Sequence, residues 1–194
     1  MKLCGLTGGV GMGKSTAAAF FLRHGAQVVD TDEIARGLVQ PGQPALAEIR
    51  DRFGAAVLAP DGSLRREVLA QIVFASVTAR QRLEAVLHPR IRAVWLAQVG
   101  LWRRENCPLA VVVIPLLFET AAEGQFDRII CAACSPAAQH ERLAARGWPP
   151  EQARQRIAAQ LPAEQKIARS HFVLWTEGAL AAHERQVAEV CARL

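Results

Sequence analysis

Leu3-Cys-Gly-Leu-Thr-Gly-Gly-Val-Gly-Met-Gly-Lys-Ser-Thr16 joins a short apolar run to a glycine-rich segment, and an alanine-rich helical pattern follows. From Gly8 the spacing is a glycine, four free positions, then Gly13-Lys14-Ser15, the pattern of a phosphate-binding loop. That pattern has meaning only between a strand and a helix, and both flanks comply. Leu3–Leu6 reads as a buried strand, and residues Lys14–His24 read as a helix stopped by Gly25. Glycines in such a loop let backbone N–H groups converge on phosphate oxygens, and the helix N-terminus adds a favourable field. Lys14 is then placed for the β- and γ-phosphates, and Ser15 for Mg²⁺.

Outward from this loop, apolar runs alternate with helical patterns. Val28-Val29 forms a second strand ending at Asp30-Thr-Asp32, and the helix after it stops at Pro41-Gly42. Residues 44–105 are mostly helical, with a turn at Pro60-Asp-Gly-Ser63 and an interruption at His88-Pro89 that should kink or divide the helix. Leu109–Ile114 is a β-branched run suited to a central parallel strand, and Pro115-Leu-Leu-Phe-Glu119 follows it. Arg128–Ala132 gives a fourth strand. Ser135-Pro136 caps a helix closed by Gly147, and Pro149-Pro150 opens another that runs to about Leu161. Phe172–Leu174 supplies a fifth strand before a terminal amphipathic helix. The class is α/β: a parallel five-stranded sheet with helices on both faces, which binds ligands at the carboxyl ends of its strands.

Composition narrows the partners. With 194 residues, 51% hydrophobic and 21% charged, the chain reads as one compact domain. No apolar run reaches the roughly 18–20 residues of a membrane span, and no signal-like N-terminus is present, so a cytoplasmic protein without membrane contact is expected. Of 23 basic residues all but Lys2, Lys14 and Lys166 are arginine, giving a net charge of +5. Arginine grips phosphate oxygens in a planar fork, which favours small anionic ligands. Nucleic acid is not expected, because aromatic residues do not interleave with the arginines as a stacking surface requires. Cys131-Ala-Ala-Cys134 lacks the second pair a closed zinc site needs and reads as two small buried apolar residues.

A bound nucleotide can serve phosphoryl transfer, a guanine switch or an ATPase motor. The guanine-reading Asn-Lys-x-Asp segment is absent, since the chain's one asparagine, Asn106, precedes Cys107-Pro108. A motor ATPase usually ends a central strand in an aspartate, whereas this strand ends in Pro115 and the nearest acid is Glu119. The carboxylates follow strand two instead, where Asp32 is placed to take a proton from an attacking hydroxyl. Asp30 can orient that hydroxyl, reach the water shell of the metal or cap the next helix. Arg142 and Arg146, one turn apart, can fold over the nucleotide as part of a lid or can line a solvated helix.

Beyond the loop, Val29-Asp-Thr-Asp32 with Ile34-Ala-Arg36, Leu87-His-Pro89, Pro115-Leu-Leu-Phe-Glu119, and Gln160 with Lys166 stand in the order and spacing of a known family. Over roughly residues 3–170 the chain closely resembles the dephospho-coenzyme A kinases. The resemblance implies transfer of the ATP γ-phosphate to the ribose 3′-hydroxyl of dephospho-coenzyme A, with Mg²⁺ required, as the last step of coenzyme A synthesis. It implies a P-loop NTPase-like core over about residues 1–60, 107–134 and 170–194. A helical acceptor-binding subdomain would occupy about 61–106 and a lid about 135–165. Gly8, Gly11, Met12, Gly13, Lys14, Ser15 and Thr16 look like the ATP contacts, joined by Arg142 from the lid. Asp32 looks like the base, and Arg36, His88 and Glu119 look like acceptor contacts. Catalysis would then rest on Asp32, Lys14 and Arg142 in a monomer or small homo-oligomer. Ser170-His171 and Trp175-Thr176 depart from the family, which tends to show Ala-Asp and Asn there, near the adenine. A P-loop kinase for another nucleoside or nucleotide, and a non-enzymatic ATP-binding module, are the other readings.

Overall fold

The computed structural model describes residues 1–194. The chain divides into two compact units, one formed by Met1–Asp30 with Leu101–Leu194 and the other by Thr31–Gly100.

The first unit is built on strands β1 (Lys2–Thr7), β2 (Gln27–Asp30), β3 (Leu109–Val113), β4 (Arg128–Ala133) and β5 (Phe172–Trp175). They form one sheet in the order β2-β3-β1-β4-β5, with every pairing parallel. Leu6 pairs with Val113 and Ile130, so β1 and β3 end within one residue of each other, while β4 runs on two residues past the end of β1. The connections from β1 and β3 leave in opposite directions, which makes their carboxyl ends a switch point of the kind that binds ligands. The glycine loop opens there.

Helix α1 (Lys14–Arg23) and the C-terminal helix, here α9 (Leu180–Ala192), pack on one sheet face. Leu6, Val111, Val113, Ile130, Ala132 and Leu174 meet Ala17, Phe20, Phe21, Val187 and Val190 in that core. In β3 the run Val111-Val-Val113 is wholly buried, as a central strand that buries both faces requires. Helices α6 (Pro136–Ala145), α7 (Pro150–Ala158) and α8 (Ala163–Ala168) lead from β4 to β5. The helix expected to run to Leu161 stops at Ala158, and α8 is an additional element. Pro162 sets the break: it cannot continue a helix but suits the entry to the next.

His183 lies in the α1/α9 core at 3% exposure, edge-on to Phe20 with ring centroids 5.1 Å apart. Its Nε2 has no hydrogen-bond partner. Burial first, then the Arg142 charge, holds its pKa below the usual 6.5. A ring harder to protonate when folded binds fewer protons than in the unfolded chain. Its contribution to stability is therefore complete above pH 6.5 and is lost as pH falls below that value. Urea midpoints measured from about pH 8 to about pH 5 should fall more steeply for the parent than for His183→Asn, which has no proton to take up. Parallel curves would contradict this.

The second unit contains α2 (Thr31–Leu38), α3 (Pro44–Phe53), α4 (Arg66–Ala75) and the larger part of α5 (Val77–Arg104). Val39, Ala45, Leu46, Ile49, Val57, Leu69 and Val86 form its own core. This core explains why the unit begins at Thr31 and not near residue 61, since α2 and α3 contribute part of its apolar surface. The expected turn is present, with Asp61 Oδ1 accepting from the Ser63 N–H at 2.9 Å. His88-Pro89 does not divide the helix: Pro89 lies inside the 28-residue α5. Proline removes a backbone donor and crowds the preceding turn, but Arg90 donates to the Val86 carbonyl at 2.6 Å and to Glu48 at 2.6 Å. The carbonyl left without its backbone donor is that of Ala85, while the Arg90 bonds tie this turn of α5 to Glu48 on α3.

Candidate active site

The glycine loop is shaped by positions that only glycine fills easily. Gly8 has φ +142°, and a Cβ there would lie 2.2 Å from the Ala132 carbonyl oxygen of β4. Gly13 caps α1 in the left-handed region, φ 85° and ψ 13°, and a Cβ on it would sit 3.0 Å from the Thr176 side chain. The loop is therefore pressed between α1 and the ends of β4 and β5. Lys14, the first residue of α1, folds back so that its Nζ donates to the carbonyls of Gly8 and Gly9 at 2.9 Å each. Its ammonium thus stands over the mouth of the loop. Ser15 follows in the same first turn with its side chain exposed, and Thr16 is half-buried behind it.

Helix α6 braces the loop from outside. Its first turn is capped by Ser135, whose Oγ accepts from the Ala138 N–H at 3.2 Å. One face then carries Gln139, Arg142 and Leu143 to the loop. Gln139 Nε2 donates to the Val10 carbonyl at 2.7 Å, while a Cβ on Gly11 would meet Leu143 at 3.1 Å. Arg142 Nη1 donates to Thr176 Oγ1 at 2.8 Å and, more weakly, to the Gly11 carbonyl at 3.5 Å; its Nη2 donates to the Thr176 carbonyl. The guanidinium is half-buried on the loop. Arg146 is exposed at the C-cap of α6 and does not share this face's contacts. The informative spacing was the one from 139 to 142 and 143, not the one from 142 to 146.

A second brace comes from beyond α7. Gln160 Oε1 accepts from the Val10 N–H at 2.9 Å, so both backbone groups of Val10 are held by glutamines on either side of α7. The following peptide N–H, of Leu161, donates to Glu119 Oε1 at 2.8 Å. Glu119 Oε1 also pairs at 2.9 Å with Lys166, whose side chain is fully buried. Lys166 donates in turn to the Pro115 carbonyl at 2.6 Å, which also accepts from Thr7 Oγ1 at 3.2 Å. Glu119, expected as an acceptor contact, is thus engaged in fastening the chain after β3 to α8 and to the segment that clamps Val10. Replacing the strand-end aspartate of other ATPases, Pro115 offers only a carbonyl here.

Gln139 and Thr176 received no role from the sequence, and Gln160 and Lys166 only a place in a pattern. A glutamine one turn before an apolar residue on a helix that begins after β4 was the available signal for Gln139. Thr176 gave none, because its partner lies 34 residues away.

In the second unit, Asp32 stands in the first turn of α2 and is exposed, where the helix N-terminus favours a carboxylate. Arg36, also exposed, is one turn further along the same face. His88 is half-buried on α5. Asp30 is the last residue of β2, paired with Val113, and directly precedes α2. Cys131 and Cys134 are both buried at the end of β4. No group of three or more His, Cys, Asp or Glu residues is arranged to hold a metal ion, and no helix is long and apolar enough to cross a membrane.

A profile of the dephospho-CoA kinase family matches residues 2–182. A dephospho-CoA kinase of Anaeromyxobacter dehalogenans is 45% identical over 180 residues, covering 92% of this chain and 85% of the relative. One from Geobacter sulfurreducens is 39% identical over 194 residues, covering 100% of this chain and 98% of the relative. Among solved structures, dephospho-CoA kinase from Campylobacter jejuni superposes with a TM-score of 0.72 at 25% identity, covering 100% of this chain and 97% of that one. Shikimate kinase from Acinetobacter baumannii shares the fold at a TM-score of 0.55 and 14% identity, covering 100% of this chain and 92% of that one.

Proposed function

The chain belongs to the dephospho-CoA kinase family, and from that premise we propose how its own residues carry out the reaction. The enzyme transfers the γ-phosphoryl group of ATP to the ribose 3′-hydroxyl of dephospho-coenzyme A, giving coenzyme A and ADP in the final step of coenzyme A synthesis. The observation that carries the assignment of roles is the glycine loop at the sheet's switch point. Lys14 reaches over it and Arg142 is fastened to its side.

The loop N–H groups and Lys14 hold the β- and γ-phosphates, with Gly8, Gly11, Met12, Gly13, Ser15 and Thr16 forming the cradle. Asp32 accepts the 3′-hydroxyl proton as the oxygen attacks the γ-phosphorus; the bond from that phosphorus to the bridging oxygen breaks and ADP leaves with the electron pair. Arg36 and His88 bind the acceptor. Arg142 meets charge on the phosphoryl group in flight. The helices from 135 to 165 serve as the lid, and the clamps at Gln139 and Gln160 make Val10 the point where lid and loop are joined.

Mg²⁺ fits this chain only together with the nucleotide. The Ser15 side chain is exposed in the first turn of α1, a hard oxygen of the type magnesium accepts, and no cage of acids stands ready for a bare ion. Bound, it would be held with help from the Ser15 hydroxyl and would offset negative charge on the nucleotide.

ADP release should be measured with ATP and, in turn, dephospho-coenzyme A, adenosine, AMP and pantothenate. Dephospho-coenzyme A is expected to exceed each of the others by at least about a hundredfold in kcat/KM, because remote binding energy is realised only with the full acceptor. Comparable rates with adenosine or AMP would favour another nucleoside or nucleotide kinase. Release with none would favour a regulatory ATP-binding module.

A further inference from the structure

At the end of β5 the chain leaves the sheet at Thr176, a buried polar residue at 6% exposure. Its backbone is fixed on both sides. The Thr176 N–H donates to the Ala133 carbonyl at 2.8 Å, extending the β4–β5 ladder by one residue. The amide of Gln186 on α9 pairs with both backbone groups of Trp175, accepting from its N–H at 2.8 Å and donating to its carbonyl at 2.9 Å. The side chain is fixed as well. Its hydroxyl donates to the Met12 carbonyl in the glycine loop at 3.2 Å, which turns a lone pair toward Arg142 Nη1 at 2.8 Å. Its Cβ, methyl and hydroxyl oxygen each lie 3.0 Å from the place a Gly13 Cβ would take.

A hydroxyl has one hydrogen and two acceptor positions. Here the hydrogen goes to the loop and an acceptor position to the guanidinium, so one atom links two parts of the nucleotide site. Of the five N–H donors of Arg142, one Nη2 hydrogen and Nε–H have no protein partner among these contacts and remain for a phosphate. Free in solvent, an arginine loses rotamer freedom when it engages a ligand; held in place beforehand, it does not.

We infer that Thr176 is a positioning residue for the phosphoryl transfer, aligning the Arg142 guanidinium with the glycine loop through its hydroxyl. The inference rests on the reading of Arg142 as the group that meets the transferring phosphoryl.

The test compares kcat and both KM values of Thr176→Val, Thr176→Ser, Arg142→Ala and the double variant Arg142→Ala/Thr176→Val. Valine keeps the shape and the packing on Gly13 but removes the hydroxyl. It should lower kcat between about tenfold and about a hundredfold, as misplacement of a catalytic group does, with KM for dephospho-coenzyme A within about twofold of the parent. Serine keeps the hydroxyl and should recover most of that loss. Because Thr176 acts through Arg142, the double variant should be no slower than Arg142→Ala alone. If valine disturbs folding, as a thermal melt will show, the pair Thr176→Ser and Thr176→Ala isolates the same hydroxyl. Parental kcat in the valine variant overturns the inference. So do equal losses in valine and serine, which would assign the effect to packing, and additive losses in the double variant, which would detach Thr176 from Arg142. If Arg142→Ala alone keeps parental kcat, the reading of Arg142 is what fails, and the single-variant data separate that outcome from failure at Thr176 alone.

Discussion

Asp32→Asn is expected to lose about 10² to 10⁴ in turnover while ATP affinity, read by calorimetry, stays within a few-fold. The substitution is nearly isosteric, so the shape of the α2 N-terminus is retained. Asparagine also suits a helix start, and loss of one charge beside the helix dipole costs only about 0.3–1 kcal/mol. Folding should therefore survive, as an unchanged circular dichroism spectrum would show. What the amide cannot do is accept the proton of the ribose hydroxyl as oxygen attacks phosphorus. Asp32 lies two residues beyond the carboxyl end of β2, in the first turn of a helix whose next turn carries Arg36. On the proposed assignment, a base at this point would act on the acceptor and leave the nucleotide contacts to the loop after β1. The signature is a fall in kcat without a matching rise in the ATP dissociation constant. Near-normal turnover at neutral pH would remove Asp32 from the role of base.

Where physical constraints are local, the fold was legible in the sequence. The strand before Gly8, the helix after Lys14 and the Ser135-Pro136 cap each depend on neighbours within a few residues, and each stands where the pattern placed it. Pro89 lies inside an unbroken α5, and its turn is tied by Arg90 to Glu48, 42 residues distant, a tertiary contact that no local pattern shows. The compact unit from Thr31 to Gly100 was not legible for a related reason. Helices α2 and α3 carry ordinary amphipathic patterns, and nothing local says which core receives their apolar faces. The site divides in the same way. Lys14 and the glycines belong to one contiguous motif; the clamps on Val10 come from residues 129 and 150 positions away and become visible only in three dimensions. Thr176 belongs to this second group, which is why the departure from the family pattern could be seen in the sequence but not interpreted there.

Arg142→Ala is expected to lower kcat by roughly 10³ to 10⁵, the range of arginines that meet phosphoryl charge mainly in the transition state. KM for dephospho-coenzyme A should change far less, because the proposed acceptor contacts, Arg36 and His88, lie elsewhere. The location of the guanidinium supports the larger effect. A solvated surface arginine would change stability by only a few tenths of a kcal/mol and turnover hardly at all. Arg142 instead lies on the glycine loop, bonded to Thr176 and to the Gly11 carbonyl. Donors fixed before the reaction need no reorganisation during it, and this is the usual source of the largest electrostatic contributions to rate. Lysine is a poor substitute here: a single ammonium cannot bond Thr176 at two atoms and still present a planar pair of donors to a phosphate. Arg142→Lys should accordingly recover only part of the loss. Losing the bonds to Thr176 will also loosen α6, so rates must be referred to folded enzyme by a thermal melt of each variant. The decisive measurement is steady-state kinetics of Arg142→Ala with ATP and dephospho-coenzyme A both saturating. A kcat within about threefold of the parent, far below the range expected for such an arginine, would reduce Arg142 to a structural tie between α6, the glycine loop and the end of β5.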